Sequence, residues 1–120
     1  MADGERQTDL LVDLYDLHGE WQRQPHLRMK WGEAHAQAVF DHRQARKSRN
    51  VIKAEVQLEV RSNPSKFNVE KITDKSVEAA VMLDKRVQDA ETDLASAERD
   101  ENILYSQVRA IESKRESLKH

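Results

Sequence analysis

Ten positions, Val87, Ala90, Leu94, Ala97, Glu101, Leu104, Val108, Ile111, Arg115 and Leu118, follow one another at alternating spacings of three and four residues. Eight of the ten are apolar, and neither glycine nor proline interrupts the run. Alternating three and four keeps returning to one face of an α-helix, the signature of a coiled-coil seam. The pattern predicts a long helix over 85–119, opened by a cap at Asp84. Val87, Leu94, Leu104, Val108, Ile111 and Leu118 would close a helical hairpin or meet another subunit. Glu101 and Arg115 interrupt the seam and would set register or partner. The heptad is unfinished at Lys119-His120, as expected of a helix that continues in a longer chain.

Upstream, the 120 residues hold only three glycines and two prolines, so the whole sequence reads as helix. Thr8 is a candidate N-cap for a short helix over 8–23, with 1–7 disordered before it. Leu10, Leu14, Leu17 and Trp21 form its apolar stripe. Gln24-Pro25 should end that helix, because the residue before proline is driven out of the α region. Pro25 would then open a long helix over 25–61. Leu27, Trp31, Ala34 and Ala38 start its stripe, and Val51, Ile52, Val56, Leu58 and Val60 resume it. A turn at Ser62-Asn63-Pro64-Ser65 leads into a loop over 62–72, in which Phe67, Val69 and Ile72 pack down. Thr73 caps a short helix over 74–83 with Val77, Ala80 and Val81 inward. The fold expected is all-α and single-domain, two long helices in an antiparallel coiled-coil-like hairpin with short accessory helices. With 38% hydrophobic and 35% charged residues the core is lean. A chain of this kind completes its buried surface by self-association.

Between Asp41 and Asn50 the one apolar residue is Ala45, so this part of the long helix must face solvent or something polar. It overlaps the stretch HRQARKSRNVIKA, His42 to Ala54, which carries Arg43, Arg46, Lys47, Arg49 and Lys53 and no acid. The chain has 20 Lys and Arg against 22 Asp and Glu, so removing these five leaves fifteen cations against the same 22 acids. On a helix, His42, Arg46, Arg49 and Lys53 share one face, flanked by Arg43 and Lys47. Such a stripe suits the phosphates of a flexible strand, which give sequence-independent, salt-dependent affinity. Trp21, Trp31 and Phe40 are the nearby aromatics that could stack bases. The competing reading is a solvated face paired with acids from the run Asp84 to Glu101.

Other chemistries find little here. There is no cysteine, hence no disulfide or thiolate metal site, and a reducing cytoplasm is the natural setting. No apolar run approaches the ~20 residues of a membrane helix. MADGERQTDL lacks the apolar segment of a leader peptide. Phosphate-loop, nucleophile-elbow and zinc-protease motifs are missing. His35 and His42 sit two helical turns apart, too far for one metal. No cofactor, metal or catalytic residue is expected, and the chain reads as a non-enzyme.

LYDLHGEW (Leu14 to Trp21) precedes the basic helix, and an F-containing loop, KSVEAAVMLDKRV (Lys75 to Val87) and a long C-terminal helix follow it. This order resembles the UvsY family of bacteriophage recombination mediators, over about residues 14–120. The resemblance implies a small helical protein that binds single-stranded DNA and assembles into a ring. It also implies that the protein helps load a RecA-like recombinase onto DNA covered by single-strand binding protein, in the host cytoplasm. The family's Lys-Ala-Arg motif falls either on Gln44-Ala45-Arg46, keeping only the arginine, or on Lys53-Ala54-Glu55, where an acid replaces it. The rival expectation is a coiled-coil scaffold or adaptor whose basic stripe docks an acidic partner helix.

Overall fold

The computed structural model describes residues 3–10 and 17–118. Among them are four α-helices and no strand: α1 (Asp3–Leu10), α2 (Leu17–Ser62), α3 (Asp74–Leu83) and α4 (Lys85–Leu118), with a 3-10 turn at Pro64–Phe67. The chain divides into two compact units. Unit 1 comprises Met1–Phe40 and Arg99–His120, and unit 2 comprises Asp41–Glu98.

Unit 1 departs most from expectation. Thr8 is not a cap: it lies inside α1 and its hydroxyl donates to the Gly4 carbonyl at 2.7 Å. Residues 3–7, expected to be disordered, are helical. Leu14, placed on the first stripe, lies outside the described residues. The break at Gln24-Pro25 is absent, and α2 continues through Pro25. An interior proline forfeits one backbone hydrogen bond and costs about 3 kcal/mol. Apolar burial around it offsets that cost, since Leu27 and Trp31 are each nearly inaccessible. The apolar core joins Leu27, Trp31 and Ala38 of α2 to Leu104 and Ile111 of α4, with Leu10, Ala34 and Val108 packed against it.

Unit 2 is built on Val56, Val60, Val77, Ala80, Val81 and Val87, with Ile52, Phe67 and Val69 against them. Each fully buried valine contributes about 1.5 kcal/mol. Thr73 caps α3 through a reciprocal pair: the Ser76 amide donates to Thr73 Oγ1 at 3.1 Å, and the Thr73 amide to Ser76 Oγ at 2.9 Å. Asp84, in extended backbone, separates α3 from α4 and accepts the Arg86 amide at 2.9 Å. Asn68 takes the left-handed conformation that closes the 3-10 turn, with φ 58°. Asparagine tolerates that region better than most residues.

The ten seam positions of α4 include none that is exposed, and Val87, Ala90, Leu104 and Ile111 are buried. In unit 1, however, Gln107 and Lys114 point inward while Val108 and Arg115 are half-buried. A straight helix drifts about 20° per heptad from a 3.5-residue repeat, and α1 covers the flank toward which this row turns. Arg6 and Asp9 carbonyls of α1 accept from Gln107 and Lys114 there.

Candidate nucleic-acid interface

All five cations of the basic stretch lie on the α2 segment of unit 2, but they do not form one open ridge. Arg43, Arg46 and Lys47 are exposed, whereas Arg49 and Lys53 are half-buried. The cause is the inward row of the helix. Stepping back from Val56 by four, three and four gives Ile52, Arg49 and Ala45, none of them exposed. Arg49 thus belongs to the row that meets α4, and its guanidinium reaches Glu91 at 3.0 Å while donating to Asn50 at 2.8 Å. Lys53 lines a groove with Val81, Met82 and the carboxylates of Glu78 and Glu91.

The outward cations differ. Among the described residues, Arg43 and Lys47 pair with no carboxylate, and Arg46 contacts only the His42 ring, at 3.3 Å. The solvent-facing positive charge therefore narrows to three residues within about one and a half turns. The backward extension of the Ile52–Val56 row was the signal in the sequence that separates them from Arg49.

The three aromatics also divide. Trp31 is 1% exposed, with its indole N–H donating to Asp9 at 2.8 Å, so its ring has no face open to a base, contrary to expectation. Trp21 and Phe40 are 40% and 55% exposed.

A second charged constellation, in unit 1, escaped the sequence reading. One oxygen of the Asp9 carboxylate accepts from Lys30 Nζ at 2.7 Å and from the Trp31 indole, and Arg23 approaches the other at 3.9 Å. Lys30 also pairs with Glu5 at 2.7 Å and lies 4.8 Å from the centre of the Trp31 ring. Lys114 donates to the Asp9 carbonyl at 3.2 Å, and its ammonium lies 2.9 Å from Glu20, both side chains 3% exposed. Burial pushes the Asp9 carboxyl up, but hydrogen bonds from Lys30 and Trp31, with the charges of Lys30 and Arg23, outweigh it. The net effect holds Asp9 below the usual aspartate value. Hydrogen bonds to Asp9 and Glu5 raise Lys30 above the usual lysine value. Nothing in the local pattern around Asp9 signals this, because the partners are Arg23, Lys30 and Trp31 of α2 and Lys114 of α4, none of them within α1 itself.

Among the described residues, no group of three or more His, Asp or Glu side chains could hold a metal ion. None of their helices is long and apolar enough to cross a membrane. Compared with protein-family models, curated proteins and solved structures, the chain matches none.

Proposed function

We propose that this chain binds single-stranded DNA through Arg43, Arg46 and Lys47 and acts as a recombination mediator of the kind its resemblance to the UvsY family implies. The observation that carries the reading is the solvent-facing trio, free of carboxylates in a chain otherwise rich in acids. Arginine and lysine at phosphates give affinity without sequence preference. Arg49 and Lys53, turned toward α3 and α4, play a secondary part at the margin. Base stacking falls to Trp21 and Phe40.

Three contacts per chain bind weakly, so assembly is part of the proposal. Residue numbers that rise along α2 pair with numbers that fall along α4, as in Arg28–Glu112 within unit 1 and Arg49–Glu91 with Glu59–Arg86 within unit 2. That order supports an antiparallel hairpin. Exposed Val51, Leu58, Met82 and Leu83 supply apolar surface for self-association, and a ring of copies would repeat the trio and raise its effective concentration. The mechanism is binding without catalysis. The assembly holds a strand, takes it from single-strand binding protein and hands it to a RecA-like recombinase in the cytoplasm. That transfer requires different strand affinities in its two states.

The Arg49–Glu91 pair favours the second reading, a scaffold whose basic stretch is already satisfied by α4 acids. The triple variant R43E/R46E/K47E separates the two. With a fluorescent ~20-nucleotide strand at low salt, the variant should lose roughly a hundredfold in affinity while far-UV circular dichroism stays unchanged. A wild-type chain that ignores the strand, or a variant that binds as well as wild type, contradicts the first reading.

A further inference from the structure

The contacts around Asp9 describe an anion-binding site that the chain fills with one of its own carboxylates. We propose that a phosphate of single-stranded nucleic acid displaces α1 from unit 1 and takes the place of the Asp9 carboxylate. The proposal deepens the strand-binding reading and rests on it for the identity of the ligand.

Three donors from one stretch of α2 converge on Asp9: the Lys30 ammonium, the Trp31 indole N–H and, more distantly, the Arg23 guanidinium. An anionic phosphate oxygen calls for the same donors. What α1 offers in return is almost wholly polar. Glu5 and Asp9 share Lys30, and the carbonyls of Arg6 and Asp9 accept from Gln107 and Lys114. Leu10 is its one residue packed on the apolar core among the described residues. A strand replaces its charge contacts and gains counterion release that α1 does not. An acidic peptide could also compete for Lys30. The strand is favoured because the open trio on unit 2 of the same chain selects phosphates.

The test uses the full chain with Trp21→Phe, which keeps an aromatic ring at the stacking position and leaves Trp31 as the sole tryptophan; its strand affinity is compared with wild type first. Binding of a ~20-nucleotide oligothymidylate should shift Trp31 emission as the indole N–H loses Asp9. The double variant E5Q/D9N should bind the strand more tightly, by about tenfold if α1 covers the site nine-tenths of the time. Lys30→Gln also loosens α1 but removes the receiving ammonium, so it should show no such gain. If E5Q/D9N loses helicity beyond α1, the wild-type chain still decides: the strand should speed tryptic cleavage after Arg6. Strand binding with unchanged Trp31 emission, unchanged Arg6 cleavage and no gain in E5Q/D9N overturns the proposal and leaves the trio's role standing. R43E/R46E/K47E that still binds with a Trp31 response refutes the trio and keeps this site. No binding by any form refutes both. Displacement of α1 by oligoglutamate but not by the strand overturns the assignment to nucleic acid.

Discussion

The two units bury different materials. Asp9, Glu20, Gln24, Gln107 and Lys114, the buried polar side chains among the described residues, all belong to unit 1. Unit 2 buries valine and alanine, and its ion pairs, such as Arg86 with Glu59 and Asp84, stay at the surface. Exposed pairs add little net stability because water and salt screen them. Buried ones carry a desolvation cost that only good geometry repays. Gln24 shows the cost openly, since among the described residues neither its amide nitrogen nor its oxygen has a hydrogen-bond partner. The interior of unit 2 is thus apolar, while that of unit 1 adds buried contacts that ions and protons can change.

The largest expected effect comes from breaking the buried pair. Lys114→Met leaves Glu20 and the Asp9 carbonyl without their buried cation. It should cost about 3–5 kcal/mol of stability in urea unfolding. Adding Glu20→Met should recover most of it, because an apolar replacement of both partners is often neutral or stabilising. A single-variant cost under ~1 kcal/mol, the level of a surface pair, would break the contrast between the units.

Acid should have a smaller effect, which in unit 1 centres on α1. Asp9 has a lowered value when folded, so its contribution is fully present above the ordinary aspartate value of about 3.9. It is lost as pH falls through the folded value. Lys30 is raised, so its contribution holds below about 10.4 and disappears as pH rises through its folded value. Glu5, Glu20, Arg23 and Lys114 are the other charges around them; Arg23 favours the Asp9 carboxylate and Glu5 the Lys30 ammonium. Trp31 emission should therefore stay flat between about pH 5 and 9 and shift in acid before far-UV ellipticity collapses. A shift centred near neutrality would mean that another group controls α1.

How much of this was legible in the sequence depends on how local the cause is. The α4 seam, the Thr73 cap and the Asp84 boundary are written in side chains within a few residues of where they act. The Pro25 break fails because a local rule meets tertiary burial: Leu27 and Trp31 hold α2 helical through it. The basic stretch was found, yet its face was misassigned, because Arg49 occupies an inward position where an apolar residue would have marked the row. Trp31 was offered for stacking when its indole was already engaged by Asp9, 22 residues away. The polar interior of unit 1 lay out of reach, because Lys114 and Gln107 look like surface residues until α1 covers them.

The central claim is that Arg43, Arg46 and Lys47 meet the phosphates of a single strand, and the salt dependence of affinity tests it most directly. Three contacts at about 0.7 each should make the logarithm of the association constant fall with the logarithm of salt concentration at a slope near −2 per protomer. The slope should be shallower by about that amount in the charge-reversed triple variant. A wild-type slope indistinguishable from zero, or an equal slope in the two proteins, would contradict the claim.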